Sequence, residues 1–305
     1  MECVFDFLLT EPPAPAADSV AAAWARHRAV AARFATPLDA AVAGGYSADR
    51  IGYAFLSGYQ EALRALLPAL PEGPGALAAT EEGGGHPAAI RTALTGADGA
   101  WTVSGTKTFA TLGSAARWLV VIASAGATPE GRNRLRAVLV ASAGPGVTVT
   151  DRPPLPFAPE IPHATVVFDG APATVLPGDG YADVLKPFRT VEDVHVLGAA
   201  LGWLVRVGRG SGWPAPMIER LLAAVASVRG IDLTHASAPG THIALGGVYA
   251  EFGRIVADSE PLWELAGTEI TARWARDRPL FEVAGRVRAQ RLATAWRAVD
   301  SAVGN

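Results

Sequence analysis

The chain has 305 residues, 50% hydrophobic and only 18% charged, against about 25% charged in an average globular domain, so much of it must lie in an interior or an interface. Its net charge of −3 offers no field for a polyanion, and no Lys/Arg run marks any segment, which excludes nucleic acid as a partner. The single cysteine, Cys3, and six scattered histidines leave no intramolecular disulfide and no metal-ligand spacing, as expected of a metal-free cytoplasmic protein.

Met1–Thr10 carries Glu2 and Asp6 where an export signal has basic residues, and Glu11-Pro12-Pro13 ends its apolar run, so no leader is expected. From Asp18 to Leu70 the signals are helical. Asp18-Ser19 can cap an Ala-rich run, Thr36-Pro37 pairs a cap with a first-turn proline, and Asp49 can cap a third helix. In that helix Tyr53, Leu56, Tyr59, Leu63 and Leu67 form one apolar stripe, which Pro68 and Pro71 stop.

Between Gly75 and about Val175 the period changes to two. Ile90, Thr92 and Leu94 alternate with Arg91 and Ala93, Gly96-Ala97-Asp98-Gly99 signals a turn, and Trp101 and Val103 continue beyond it, which predicts a hairpin. Further strands are expected at Trp118–Ala123, Arg136–Val140, Val147–Thr150 and Thr165–Phe168, a spacing that suits a β-sandwich or barrel. After Pro177-Gly178-Asp179-Gly180 the helical period returns. Its stripes are Val191, Val194, Leu197, Leu201 and Leu204, then Ile218, Leu221, Val225 and Val228, then Ile243, Val248, Phe252 and Ile255, and Pro279 opens a last helix toward Val299. The longest apolar stretches, Trp118–Ala127 and Leu197–Val205, fall short of the ~20 residues a membrane span needs. The fold class is α+β: an N-terminal helical domain over 1–74, a middle β-domain over 75–185 and a C-terminal helical domain over 186–305.

Two segments carry chemistry. Thr80-Glu81-Glu82-Gly83-Gly84-Gly85-His86-Pro87 has three consecutive glycines, which let backbone N–H groups converge on a ligand or form a plain surface turn; without a following Gly-Lys-Ser/Thr it is not a Walker loop. In Ser104-Gly105-Thr106-Lys107-Thr108-Phe109-Ala110-Thr111, Ser104 and Lys107 have the Ser-x-x-Lys spacing of serine acyltransferases, but they sit among strand signals rather than on a helix turn.

Taken together, Thr-Glu-x-Gly-x-Gly, the hairpin, Gly-Thr-Lys-x-aromatic-x-Thr and the Ala-x-Trp-Leu-Val-Val strand resemble the middle β-domain of acyl-CoA dehydrogenases. The likeness runs from about Leu56 to Val207, through Gly144-Pro145-Gly146-Val147 and Val167-Phe168-Asp169. It implies the same helical, β, helical order with a shortened C-terminal bundle, and FAD held between the β-domain and the bundle. By that resemblance Thr80, Gly85 and His86 fall where flavin or acyl thioester is contacted, and Phe109, Ala110 and Thr111 fall along the isoalloxazine ring. For Phe109, ordinary β-domain core is the competing reading.

The implied activity is FAD-dependent oxidation of the CH–CH group of an acyl thioester, carried by CoA or an acyl carrier protein, in a homo-oligomer. The sequence also departs from the family. Glu82 and His86 stand where Pro and Ser are common, and the Arg with a downstream Phe-Gly of the bundle is not found. Where a catalytic Glu often precedes Gly-Thr, Leu265-Ala266-Gly267-Thr268 has Ala266, and the neighbouring Glu264 and Glu269 read as helix-surface carboxylates, so no catalytic base is assigned. The alternative is an inactive family member that binds an acyl thioester or a partner; a Ser104/Lys107 hydrolase is the third and most remote reading.

Overall fold

A computed structural model describes residues 1–97 and 99–303. Four helices come first: α1 (Val4–Thr10), α2 (Val20–Ala31), α3 (Pro37–Ser47) and α4 (Ile51–Leu66). The Ser19 side chain accepts from Ala22 N and that of Thr36 from Asp39 N, the caps the sequence predicts for α2 and α3. Helix α1, which no sequence signal marked, buries Val4, Phe7 and Leu8. Asp49 does not cap α4. Its carboxylate accepts from Ala17 N at 3.1 Å and from Arg50 Nε at 2.8 Å, and the first turn closes from Ala54 N to Arg50 O.

Seven strands follow among the described residues: β1 (Gly75–Ala78), β2 (Ala93–Ala97), β3 (Ala100–Thr111), β4 (Trp118–Ala127), β5 (Asn133–Ala141), β6 (Val147–Asp151) and β7 (His163–Val175). The pairings run β4-β2-β3-β7-β5 and return from β5 to β4, closing the sheet into a barrel. Strands β2 and β3 form the expected hairpin; its turn includes Asp98, which lies outside the described residues. Ala76, Val103, Ala110, Leu119, Val121, Val138, Val166 and Phe168 are among the side chains that fill the barrel. Register shifts between Val103 and Gly105 and between Lys107 and Ala110 bend β3 against β7.

A one-turn π-helix over Gly180–Leu185, capped by the Asp179 side chain, leads into α5 (Lys186–Gly210), α6 (Ala215–Arg229), α7 (Pro239–Ser259), α8 (Thr268–Asp277) and α9 (Gly285–Val303). The expected stripe of α5 is buried, from Val191 through Leu204. Pro279 lies instead in a short 3-10 turn, Arg278–Phe281, and α9 starts only at Gly285. No helix of the described residues is long and apolar enough to cross a membrane.

The chain divides into two compact units. One comprises Met1–Ala65, Leu155–Glu160 and the chain from Thr190; the other comprises Leu66–Pro154 and Ile161–Arg189, and contains the barrel. In the helical unit, backbones approach closely where glycines face a neighbouring helix. A Cβ on Gly45 would lie 1.9 Å from Ala199 O, and one on Gly202 would lie 2.1 Å from Val42 O. Trp203, Trp263 and Trp274 stack in the core of the same unit, with ring centroids 4.7–6.1 Å apart.

Candidate functional site

The two chemistry-bearing segments meet within the barrel unit. Beyond β1, Thr80 forms an antiparallel bridge with Phe109, and Thr80 O accepts from Thr108 N at 2.9 Å. Glu81 and Gly84 then exchange backbone hydrogen bonds, 3.2 Å from Glu81 N and 2.8 Å from Gly84 N, folding Glu82-Gly83 into a tight turn. Gly84 sits at φ +91°, a backbone conformation in which any other residue would be strained. Gly85 lies beside Thr80, whose Oγ1 would be 3.6 Å from a Cβ placed there, and Arg189 Nη2 donates to Gly85 O at 3.4 Å.

The six residues singled out from the sequence divide. Thr80, Phe109 and Thr111 come together: the bridge sets Thr80 against Phe109, and Thr111 lies two residues further along the same strand, all three half-buried. Gly85 joins them through its approach to Thr80. His86 is exposed and acts as a cap, its Nδ1 accepting from Ala88 N at 3.2 Å to start the turn Pro87–Ala89. The Ala110 side chain is wholly buried in the barrel core.

Two neighbours had no signal in the sequence. His163, across the β3–β7 pairing from Thr111, tilts its ring over Phe109 at a centroid distance of 4.5 Å. The Arg152 guanidinium lies 5.7 Å from the Phe109 ring centre and donates to Thr108 O at 2.9 Å. Burial pushes the His163 imidazole below its ordinary value, and the Arg152 charge adds to that, so the ring is neutral at pH 7. The face therefore offers a tilted aromatic pair, two Thr hydroxyls and a cation close to the ring. A planar, hydrogen-bonding ring system such as isoalloxazine fits that donor set.

Ser104 and Lys107 do not form a catalytic pair. Ser104 is exposed, with Oγ accepting from Gly170 N at 3.0 Å, whereas Lys107 is buried in the barrel and bonded to Glu81 at 2.7 Å. A strand sends the two side chains to different faces, which overturns the hydrolase reading. In the same unit, Glu81, Gly83, Arg91, Thr92, Thr106 and Thr108 border a cleft of about 740 Å³. In the helical unit, Glu264 and Glu269 are exposed, the latter paired with Arg273, while Ala266 is buried. No cluster of His, Cys, Asp and Glu among the described residues could hold a metal ion.

Residues 76–171 match the family model described as "Acyl-CoA dehydrogenase, middle domain". No curated protein sequence matches the chain. Among solved structures, FMN-bound TdsC from Paenibacillus sp. A11-2 superposes with a TM-score of 0.69 at 16% identity, over 96% of this chain and 94% of that one. Butyryl-CoA dehydrogenase from Megasphaera elsdenii gives a TM-score of 0.62 at 15% identity, covering 85% of this chain and 82% of that one. The prolyl acyl carrier protein oxidase AnaB gives 0.60 at 14% identity, with 84% and 82% covered. Residues 76–171 thus match an acyl-CoA dehydrogenase middle domain, and the chain as a whole is similar in fold to the acyl-CoA dehydrogenase-like flavoproteins among these structures.

Proposed function

We propose that this chain binds FAD against Thr80, Phe109 and Thr111 and is an FAD-dependent oxidoreductase acting on the CH–CH group of an acyl thioester, carried by CoA or an acyl carrier protein. The observation that carries the reading is the Thr80–Phe109 bridge, which joins two segments 29 positions apart into one face inside the matched middle domain. A bound flavin supplies the two-electron acceptor for hydrogen leaving the β-carbon of such a substrate. The chain's part is to hold and dry the ring: Thr80 and Thr111 hydroxyls bond its edge, and Phe109 with His163 packs near it. Gly85 leaves room for the ligand beside Thr80, and His86 and Ala110 border it through their backbones. A reducing cytoplasm suits a chain with one cysteine, Cys3, exposed and free.

The second reading, a binding protein without turnover, is favoured by one observation: the carboxylates beside the Ala266-Gly267 echo, Glu264 and Glu269, are exposed, where a base with a raised pKa needs burial.

Titration of apoprotein with FAD and with FMN, followed by anaerobic addition of acyl thioesters, tests both. The expected result is stoichiometric flavin with its paired visible bands, bleached by an acyl thioester. The double change Thr111→Val and Phe109→Ala should weaken FAD binding while circular dichroism still reports a fold. The lost hydrogen bond is worth about 0.5–1.5 kcal/mol, and the truncated ring about 3–5 kcal/mol, shared between affinity and stability. A protein that takes up no flavin sinks the first reading; one that binds flavin but is bleached by no acyl thioester moves the conclusion to the second.

A further inference from the structure

We propose that Lys107 and Glu81 are a buried positioning pair that pins both ends of the 80–92 loop to strand β3, in the shape that receives the flavin. The flavin part of this rests on the function proposed above; the pinning of the loop does not.

Lys107 is the one lysine in the barrel interior, wholly buried. An ammonium group has three protons to place, and here it meets three acceptors: Glu81 Oε1 at 2.7 Å, Ile122 O at 2.6 Å and Ala79 O at 3.3 Å. Glu81 is equally engaged. Its Oε2 accepts from Arg91 N at 2.7 Å and its Oε1 from Thr92 N at 3.0 Å. One ion pair therefore ties β3 and β4 to the residues on either side of the glycine turn, Ala79 and Glu81 at its entry and Arg91 and Thr92 at its exit. Thr80 lies between the two entry ties, and Phe109 is two residues beyond Lys107 on β3.

Stability alone does not call for such a pair. Replacing a buried ion pair with apolar side chains of similar size is often neutral or stabilising, whereas removing one partner is strongly destabilising. What charges with directed bonds add is a single geometry for a turn that is otherwise three glycines. The charged group facing Lys107 is Glu81, and burial pushes the ammonium down to about 8 despite that carboxylate. Burial pushes Glu81 up, and the Lys107 bond with the two amides outweighs it, so the carboxyl titrates below its ordinary value. Below pH about 8 the pair is neutral; above it, the carboxylate is left without its counter-charge beside the loop. A diphosphate-bearing dinucleotide such as FAD is then repelled.

The test compares the wild-type protein with the charge-free variant Glu81→Gln/Lys107→Met and with Lys107→Arg, whose charge persists at all accessible pH. Three quantities are read: fold by circular dichroism, amide exchange over residues 81–92, and FAD affinity from about pH 6 to 10. The charge-free variant should fold, exchange its loop amides about tenfold faster and bind FAD about tenfold more weakly, the loss expected for charged hydrogen bonds, with no alkaline fall in affinity. Wild type should lose affinity above pH about 8, and Lys107→Arg should not. The proposal is overturned if the charge-free variant keeps wild-type loop protection, or if wild-type affinity is level to pH 10. Should Lys107→Arg fail to fold, the charge-free variant carries the test. Wild type binding no flavin at any pH removes the function proposed above, while faster loop exchange in the charge-free variant still upholds the pair.

Discussion

Glu160 is a carboxylate that burial pushes above its ordinary value. Its Oε1 is buried with no hydrogen-bond partner, close enough to α4 that a Cβ on Gly52 would fall 2.0 Å away, and Arg276 Nη2 approaches only to 3.6 Å. The net shift is upward although a hydrogen bond from its own backbone opposes it; Asp277 adds to the rise, and Arg276 and Arg50 oppose it. The sign follows from proton binding: from the ordinary value of 4.5 up to the higher folded value, the native state holds the proton that the unfolded chain has lost, so stability falls as pH rises. Glu160→Gln removes that dependence. It should raise the melting temperature at pH 7, with the gain disappearing below pH about 4.5, and thermal melts from pH 4 to 8 would show it. A lower melting temperature for the variant at pH 7 would mean that the charge is stabilised by groups other than those facing it here.

At the scale of elements, helix α3 is buried along nearly its whole length, because glycines let it approach α5 backbone to backbone. Gly45→Ala sets a methyl 1.9 Å from Ala199 O. Since the obstructing atom is backbone, relief requires α3 and α5 to move apart, and overpacking of this kind costs typically about 1–3 kcal/mol. Urea unfolding should show the loss as a lower midpoint at constant slope; an unchanged midpoint would mean that the crossing is looser than it looks. Elements of this kind were legible in the α5 stripe and the Ser19 and Thr36 caps, whereas the Ile90–Leu94 alternation predicts the burial but not the strand, which starts only at Ala93. Asp49 has the right residue type for a cap, yet Ala17 N, 32 positions away, competes for its carboxylate. Pro279 suits the first turn of an α-helix and of a 3-10 turn alike, and local sequence does not separate them. The site was half legible. The Thr80 and Phe109 segments have recognisable residues, but Lys107 reads as half of a Ser-x-x-Lys pair or as part of the Gly-Thr-Lys motif, and its partner Glu81, 26 positions away, carries no signal of the pairing. Likewise nothing near Phe109 announces His163.

For the whole molecule, the surface bears on association. Five of the exposed large apolar residues fall in one stretch of the helical unit: Leu265, Ile270, Val283, Val287 and Trp296, with Val283 at 64% and Trp296 at 49% exposure. Single exposed apolar side chains are ordinary, whereas several close together would be a surface suited to a partner. A net charge of −3 is small enough for two copies to meet. The homo-oligomer implied by the family resemblance predicts that a second copy of the chain covers some of these side chains. Sedimentation velocity over about 1–100 µM should give a mass above that of the 31.5 kDa monomer. Trp296→Arg with Val287→Glu places charges where an interface would bury apolar area. If Trp296 is a central anchor, the change should cost 2 kcal/mol or more, weakening self-association roughly 30-fold, with the circular dichroism spectrum unaltered because both side chains are on the surface. A wild-type protein that sediments as a monomer at every concentration would assign the 265–296 surface to some other occupant, and a variant that associates as tightly as wild type would move the interface elsewhere on the chain.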